Sequence, residues 1–311
     1  MQQEMKYIYQ IYEDGSFSKA AEHLFITQPA LSIAVSKIEA SLGMALFDRR
    51  RHPLQPTAAG QAYIDTIKKI KMLEDDLECR INDMRDLNTG TIRIGGSHYL
   101  NAYILPKILA DFSREYPGIR LELVEKSSGI LADMLSEQNL DLTFSCNETF
   151  IKDFERYPAF WDTILLAVPR EYEINQQLSH LSLSASDIIN KKHMDEDCPS
   201  VSLTEFRELE YILLSEENNL YERSMKMFKD AGFSPRIKMT LSQLVTAYHL
   251  AADHFAAAFI SDRLVRDTAV PLVFYKIKSE YINRLFYLLI PDRNYTSMAV
   301  KAFIQYFLLN V

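Results

Sequence analysis

The sequence of 311 residues has few of the residues that mark several protein classes. Its three cysteines, Cys79, Cys146 and Cys198, stand at long and unrelated spacings, which favours neither a disulfide framework nor a zinc site. Nine glycines and eleven prolines exclude a collagen-like or linker-like chain. The longest uncharged run is the 14 residues from Met239 to Ala252, too short to span a bilayer. We therefore expect a globular protein with at least two hydrophobic cores and no membrane partner.

The sequence also lacks an excess of positive charge. It carries 34 basic and 42 acidic residues, a net charge of −8, which by itself argues against a nucleic-acid partner. Residues 1–60, however, hold six basic and six acidic residues, and half of the basic ones are Arg49, Arg50 and Arg51. The acidic N-terminus has no apolar signal-peptide region, so we expect a cytoplasmic protein. The overall sign thus describes residues 61–311 and leaves a DNA contact open in the first 60.

The first 45 residues have the pattern of a helix-turn-helix. Apolar residues from Met5 to Tyr12 recur at helical spacing, and Ser18 is expected to cap a second, short helix. Thr27 is a suitable N-cap for a third helix over residues 28–42, which Gly43 should end. Two short helices joined by a tight connection, the second well capped, are typical of a DNA-binding motif.

A long amphipathic helix is predicted from Ala59 to Leu87. Apolar residues follow a heptad spacing along it, namely Tyr63, Ile67, Ile70, Leu77, Ile81 and Met84. A narrow apolar seam of this kind predicts a helix that pairs with a second copy of itself. The alternative is a helix buried on its own domain.

Beyond a hinge at residues 88–90, strands alternate with helices, which predicts a parallel sheet with helices on its faces. The predicted strands are residues 91–94, 120–124, 141–144, 164–168, 211–214, 237–240, 256–260, 272–277 and 285–290. The polar stretch over residues 171–200 is interpreted as a surface excursion. No catalytic constellation, metal-ligand spacing or phosphate-binding loop is present, so we expect neither an enzyme nor a cofactor.

Several motifs resemble the LysR-type transcriptional regulators. The N-terminal block GSFSKAAEHLFITQPALSIAVSKIEASLGMALFDRR, followed by PTAAG, is similar to the helix-turn-helix and wing of that family. Downstream, GTIRIGGS, LPKILADFSREYPGIRLELVE and LDLTF are similar to the start of its effector-binding domain. The chain departs from the family pattern at Ile33 and Ala34, at residues 253–256, and in an insertion over 178–200.

The resemblance implies an α/β protein with an all-α N-terminal part and a hinged C-terminal domain like that of periplasmic binding proteins. The implied parts are a winged helix-turn-helix over residues 1–60, a dimerisation helix over 61–88, and an effector-binding domain over 89–311, with subdomain I at about 89–165 and 266–311 and subdomain II at about 166–265. The implied partners are double-stranded DNA with an interrupted palindrome, a small-molecule effector, and a second copy in a homodimer or tetramer. RNA polymerase is a further candidate partner. The rival interpretation is a small-molecule carrier whose helical domain serves assembly.

The start of the third helix holds the candidates for base recognition. Short polar groups there can enter the major groove, and Gln28 can pair with an adenine edge. The candidates for the base edges are Thr27, Gln28 and Ser32, with Pro29 and Ala30 against a thymine methyl group, and Lys37 is the candidate for a phosphate contact further along the helix. Arg49, Arg50 and Arg51 follow on a loop that is expected to act as a wing, where arginine suits a minor groove or phosphate.

The candidates for effector binding lie at the turns that follow predicted strands, where helix starts present free N–H groups that suit an anion. They are Ser97, His98, Ser127, Ser128, Asn147 and Ser242. For each serine, plain helix capping is the alternative role. A redox pair of Cys146 and Cys198 is disfavoured, because the acidic neighbours of Cys198 should disfavour its thiolate.

Overall fold

The structure is a computed structural model that describes residues 3–51, 53–85, 89–292 and 295–311, without the side chains of residues 75, 78, 79, 82 and 85. The chain divides into two compact units, Met1–Leu87 with Asn294–Ser297, and Asn88–Arg293 with Met298–Val311. The predicted helix end at Leu87 and the start of the hinge at Asn88 lie outside the described residues. Within the described ranges, no helix has the length and apolar character needed to cross a membrane.

The first unit is built from four helices and a short hairpin. Its elements are α1 (Gln3–Asp14), α2 (Phe17–His23), α3 (Gln28–Leu42), β1 (Phe47–Asp48), β2 (Gln55–Pro56) and α4 (Ala58–Arg85). The core is formed where the apolar faces of the helices meet, with Ile8, Ile11, Leu31 and Val35 fully buried. β1 and β2 pair antiparallel, so the predicted wing loop is a hairpin.

The predicted helix boundaries in this unit depend on caps, and one of them was wrong. Thr27 caps α3 as predicted, its hydroxyl accepting from the Ala30 N–H, and Gly43 ends that helix in the left-handed region at φ 68°. The cap of α2 is Ser16 and not Ser18, because the Ser16 hydroxyl accepts from the Lys19 N–H. Helix α2 therefore begins earlier, at Phe17.

Helix α4 has two halves with different surroundings. Ile64 and Ile67 are fully buried in the core of the first unit. Further along, four apolar side chains are exposed, at 58% for Leu73, 57% for Leu77, 41% for Ile81 and 85% for Met84. The alternative of a helix buried on its own domain thus holds for the first half, while the second half carries an uncovered apolar row.

The second unit contains nine strands and eight α-helices among the described residues. The strands are β3 (Gly90–Gly96), β4 (Ile119–Glu125), β5 (Thr143–Ser145), β6 (Glu155–Pro169), β7 (Glu210–Leu214), β8 (Arg236–Leu241), β9 (Ala257–Ser261), β10 (Leu272–Tyr275) and β11 (Asn283–Ile290). The helices are α5 (Leu105–Glu115), α6 (Ser128–Ser136), α7 (Glu148–Ile151), α8 (Ile174–Gln177), α9 (Ala185–Ile189), α10 (Asn219–Asp230), α11 (Leu244–Ala252) and α12 (Met298–Asn310).

The prediction of a parallel sheet was wrong in part. β3 pairs parallel with β4, and β7 pairs parallel with both β8 and β9. β6, however, pairs antiparallel with β9, β10 and β11, and β11 pairs antiparallel with β5. β6 thus runs opposite to β9, β10 and β11, so antiparallel pairs around β6 stand beside the parallel pairs that β7 makes with β8 and β9.

Two further segments differ from their predictions. β6 begins at Glu155, not at residue 164, because the residues from Glu155 to Thr163 pair with β11. Side chains in this first half alternate between exposed and less exposed positions, unlike the continuously buried second half. The stretch over 171–200 is not merely a surface excursion. It contains α8 and α9 and buries Leu183, Ile188 and His193. Leu183 also bridges to Phe274 on β10, which anchors the segment to the sheet.

Candidate functional site

The start of α3 presents an exposed polar surface. Thr27, Gln28, Pro29 and Ala30 are exposed there, and Ser32 is half-buried on the next turn. Lys37 is exposed further along the same helix. The opposite face of α3 packs in the core through Leu31, Val35 and Ile38, which fixes the direction of the exposed side chains.

The three arginines of the hairpin have different surroundings. The Arg49 Nη2 donates to Glu39 Oε2 at 3.1 Å, and its guanidinium carbon lies 5.1 Å from the centre of the Phe17 ring. Arg50 and Arg51 project into solvent with side chains 93% and 67% exposed. Arg49 therefore ties the hairpin to α3, while Arg50 and Arg51 are available to a partner.

Asp48 contacts both exposed arginines of the hairpin. Its Oδ1 accepts from the Arg50 backbone N–H at 3.1 Å, and its Oδ2 lies 3.6 Å from Arg51 Nε. The hydrogen bonds from the Arg50 backbone and side chain hold the pKa of the Asp48 carboxyl below its ordinary value. Asp48 is therefore ionised at neutral pH and limits the local positive charge.

Close packing at Gly60 holds the hairpin against the start of α4. The Thr57 hydroxyl donates to the Ala45 carbonyl at 2.6 Å and accepts from the Gly60 N–H at 3.0 Å. A Cβ on Gly60 would lie 1.9 Å from the Leu46 carbonyl oxygen. The Thr-x-x-Gly motif is thus explained by backbone approach, which excludes any side chain at residue 60.

In the second unit, one cavity of about 250 Å³ gathers all six residues that the sequence predicts to bind an effector. These are Ser97, His98, Ser127, Ser128, Asn147 and Ser242. They come from turns far apart in the chain, after β3, β4, β5 and β8. The sequence argument that turns after strands converge at one edge is therefore supported by the geometry.

The starts of several helices border this cavity. Asn147 caps α7, its side chain accepting from the Thr149 N–H, and Asn218 caps α10 by accepting from the Leu220 N–H. Ser127 stands at the cap position of α6, but its hydroxyl makes no cap hydrogen bond there. His98 Nδ1 lies 3.2 Å from Glu125 Oε1. Helix starts and small hydroxyls thus line the cavity together with Glu125 and Glu217, and helix starts of this kind favour an anion.

A buried charged network at the cavity floor was not predicted from the sequence. Arg284 lines the cavity, and its Nε donates to Asp162 Oδ2 at 2.6 Å with both side chains almost fully buried. The Tyr99 hydroxyl donates to Asp162 Oδ1 at 2.6 Å, and the Ser261 hydroxyl donates to the same oxygen. Burial opposes the charge of Arg284, but the Asp162 carboxylate outweighs it and raises the pKa of the guanidinium.

The only sequence signal for this network is a lone charged residue at the start of an otherwise apolar strand. The predicted strand over residues 285–290 does not include Arg284, and Asp162 stands two residues before the predicted strand over residues 164–168. The two residues are cross-strand partners on β11 and β6, and sequence spacing does not reveal this pairing.

Cys146 lines the same cavity and is buried. Its thiol donates to Asn219 Oδ1 at 3.3 Å, and burial raises the pKa of the thiol. A protonated thiol is a poor nucleophile, which further disfavours the redox alternative.

Comparisons with known families match both units. Residues 2–61 match the family described as "Bacterial regulatory helix-turn-helix protein, lysR family", and residues 85–310 match the "LysR substrate binding domain". An uncharacterised HTH-type transcriptional regulator, YcgK of Bacillus subtilis (strain 168), is 28% identical over 307 residues, which cover 97% of this chain and 92% of YcgK. A probable RuBisCO transcriptional regulator of Porphyra purpurea is 23% identical over 301 residues, covering 95% of this chain and 89% of that protein.

Solved structures share the fold. Full-length CbnR complexed with its target DNA has a TM-score of 0.64 at 19% identity and covers 99% of each chain. Full-length BenM has a TM-score of 0.55 at 21% identity, covering 99% of this chain and 95% of that one. The predicted fold class, a helical helix-turn-helix part followed by an α/β domain, is confirmed by these likenesses.

Proposed function

The chain belongs to the LysR family, and from this premise we propose which of its residues read DNA, pair two chains and bind the effector. As a member of that family it is a DNA-binding transcriptional regulator controlled by an effector, and it is not an enzyme. The rival interpretation of a carrier protein is not favoured, because both matched families are those of regulators. The observation that carries the proposal is the combination of an exposed helix start in the first unit with a polar cavity in the second.

For DNA, the exposed start of α3 enters the major groove. Gln28 pairs with an adenine edge, and Pro29 and Ala30 contact thymine methyl groups. Thr27 and Ser32 offer further short polar groups to the base edges, and Lys37 contacts the phosphate backbone. The hairpin reaches the flanking minor groove through Arg50 and Arg51, whose side chains are the more exposed of the three arginines. Arg49 acts on the hairpin's position and not on DNA.

For assembly, the exposed row of Leu73, Leu77, Ile81 and Met84 pairs with the same row of a second copy. A homodimer presents two helix starts to an interrupted palindrome, and the second contact gains from effective concentration. The exposed strand β8, with Ile237 and Met239 at 49% and 37%, offers a further self-association edge, by which dimers form a tetramer. The regulator acts in the cytoplasm, with RNA polymerase as a partner at the promoter.

For the effector, we assign the cavity that Ser97, His98, Ser127, Ser128, Asn147 and Ser242 line. Its size suits a small metabolite, and its helix starts favour an anionic one. The residues that line the cavity are spread along the chain from residue 97 to residue 286. A ligand that contacts several of them would shift the equilibrium between two arrangements of the second unit. We also propose that the DNA-binding domain ends at about residue 60 and that the dimerisation helix ends at about residue 88.

The proposal is tested by DNA binding of full-length variants to the region upstream of the protein's own gene. The double variant Arg50→Ala/Arg51→Ala should weaken binding at least tenfold on every sequence and flatten the salt dependence, by about 0.9 in slope for each phosphate that is no longer neutralised. Gln28→Ala should instead reduce the preference for the specific sequence.

The control is Arg114→Ala/Arg120→Ala, which removes two exposed arginines of the second unit, each with one acidic neighbour. This variant should bind DNA as the wild type does. An unchanged affinity and salt slope in Arg50→Ala/Arg51→Ala would overturn the role of the hairpin.

A further inference from the structure

The buried guanidinium of Arg284 has unused hydrogen-bond donors at the floor of the cavity. We propose that Arg284 binds the anionic group of the effector, and that the effector is therefore a small carboxylate or phosphate whose charged end points to this floor. This inference rests on the proposed function, since it takes the cavity as the effector site.

The carboxylate of Asp162 is already satisfied by the protein. It accepts from three donors, the Tyr99 hydroxyl, the Ser261 hydroxyl and the Arg284 Nε. Its side chain has no exposed area. Asp162 therefore has little capacity to bind a cationic ligand group, and its position holds Arg284 in place.

Arg284 has most of its donors left. A guanidinium carries five N–H groups, and only the Nε–H is donated to a protein acceptor in the part of the chain that the structure describes. The side chain is 5% exposed, and the residue borders the cavity, so the remaining donors lie at the cavity surface. Its guanidinium carbon also lies 5.1 Å from the centre of the Phe286 ring, which restricts its rotamers. A fixed fork of unused donors suits a carboxylate or phosphate.

A neighbouring arginine shows the contrast. The Nε of Arg223 donates to Asn219 Oδ1, and its Nη1 donates to the carbonyls of Tyr281 and Asn283 at 2.9 and 3.1 Å. Arg223 is thus used to hold the protein together, and it does not border the cavity. Arg284 is the buried arginine whose donors remain for a ligand.

The position of the pair connects ligand and fold. Arg284 and Asp162 are cross-strand partners where β6 passes from pairing with β11 to pairing with β9, and Ser261 ends β9. An anion bound to Arg284 would therefore lie next to the place where β11 and β9 meet along β6.

The test is binding of inorganic phosphate, malonate and benzoate to full-length protein, measured by calorimetry and thermal shift, with choline as the cationic comparison. Arg284→Lys keeps the charge but loses the fork, and should weaken the binding of the anion at least tenfold. Because removal of Arg284 alone would leave Asp162 buried without its partner, the second variant is Arg284→Gln/Asp162→Asn, which should abolish anion binding. Arg114→Lys, on an exposed arginine, is the matched control and should bind as the wild type does.

The outcomes separate this inference from the proposed function. Binding of phosphate alone or of carboxylates alone identifies which anion the fork accepts. Anion binding that persists in the double variant would overturn the role of Arg284, and so would a wild-type protein that binds none of the three anions. If a neutral metabolite then binds and Ser128→Leu abolishes that binding, the cavity remains the effector site. The failure of every ligand class at the cavity would refute both.

Discussion

Replacement of Leu77 by lysine tests the pairing of the long helix. The Leu77 side chain is 57% exposed in the single chain. Burial of a whole leucine side chain contributes about 1.5–3 kcal/mol, so covering the exposed part contributes about 1–1.5 kcal/mol per copy. A dimer has two copies, and Leu77→Lys should therefore cost about 2–3 kcal/mol, which weakens dimerisation about 30-fold to 150-fold.

Sedimentation equilibrium of the full chain over a range of concentrations measures this change. Affinity for a two-half-site duplex should fall with dimerisation, while affinity for a single half-site should stay constant. Leu309→Lys, the same change at a leucine that is 84% exposed on α12, is the control and should leave the association state unchanged. An unaltered dimer in Leu77→Lys would refute the pairing role of the exposed row.

Three predictions concern stability and are checked by urea unfolding. Phe25 is 95% exposed at φ 56°, so Phe25→Gly should raise the free energy of unfolding by up to about 1 kcal/mol, and a decrease would contradict the strain. Gly60→Ala should cost more than about 2 kcal/mol because its Cβ would strike the Leu46 carbonyl, whereas Gly129→Ala, with 3.7 Å to Phe150, should be neutral or slightly stabilising; equal effects would be inconsistent with this packing. Asp187→Ala should cost about 1 kcal/mol at neutral pH through loss of the capping box with Ser184. The hydrogen bonds from Ser184 lower the pKa of Asp187, so this stabilisation is complete above the ordinary carboxyl pKa and is lost as the pH falls through the lowered value. The difference in unfolding free energy between Asp187→Ala and the wild type should therefore vanish in strong acid, and a difference that persists there would contradict the role of the ionised carboxylate.

Features that depend on local sequence were predictable. The Thr27 cap and the Gly43 helix end follow from short-range patterns, and the structure has them, although the cap of α2 is Ser16 and not the expected Ser18. The gathering of turns at the cavity follows instead from the expected alternation of strands and helices. Features that depend on pairing between distant strands were not. The antiparallel course of β11 against β6 joins residues over 100 positions apart, and the Arg284–Asp162 pair depends on that register.

The exposed half of α4 illustrates the same limit. A heptad pattern predicts an apolar face but does not tell which turns the chain itself covers. Ile64 and Ile67 are buried in one core with residues of α1 and α3, whereas Leu73 and Leu77 are exposed. Tertiary packing thus decides where the domain core ends and where the pairing surface begins.

We propose that occupancy of the cavity and DNA binding are coupled in one chain. The most direct measurement is the affinity of a cavity ligand for the full-length protein, first free and then saturated with its operator DNA. We predict that the ligand Kd changes on DNA binding, and that the ligand changes the operator Kd by the same factor, because coupling between two sites is reciprocal. A ligand Kd that is identical with and without DNA, for a ligand whose binding Ser128→Leu abolishes, would contradict the coupling of the cavity to DNA binding.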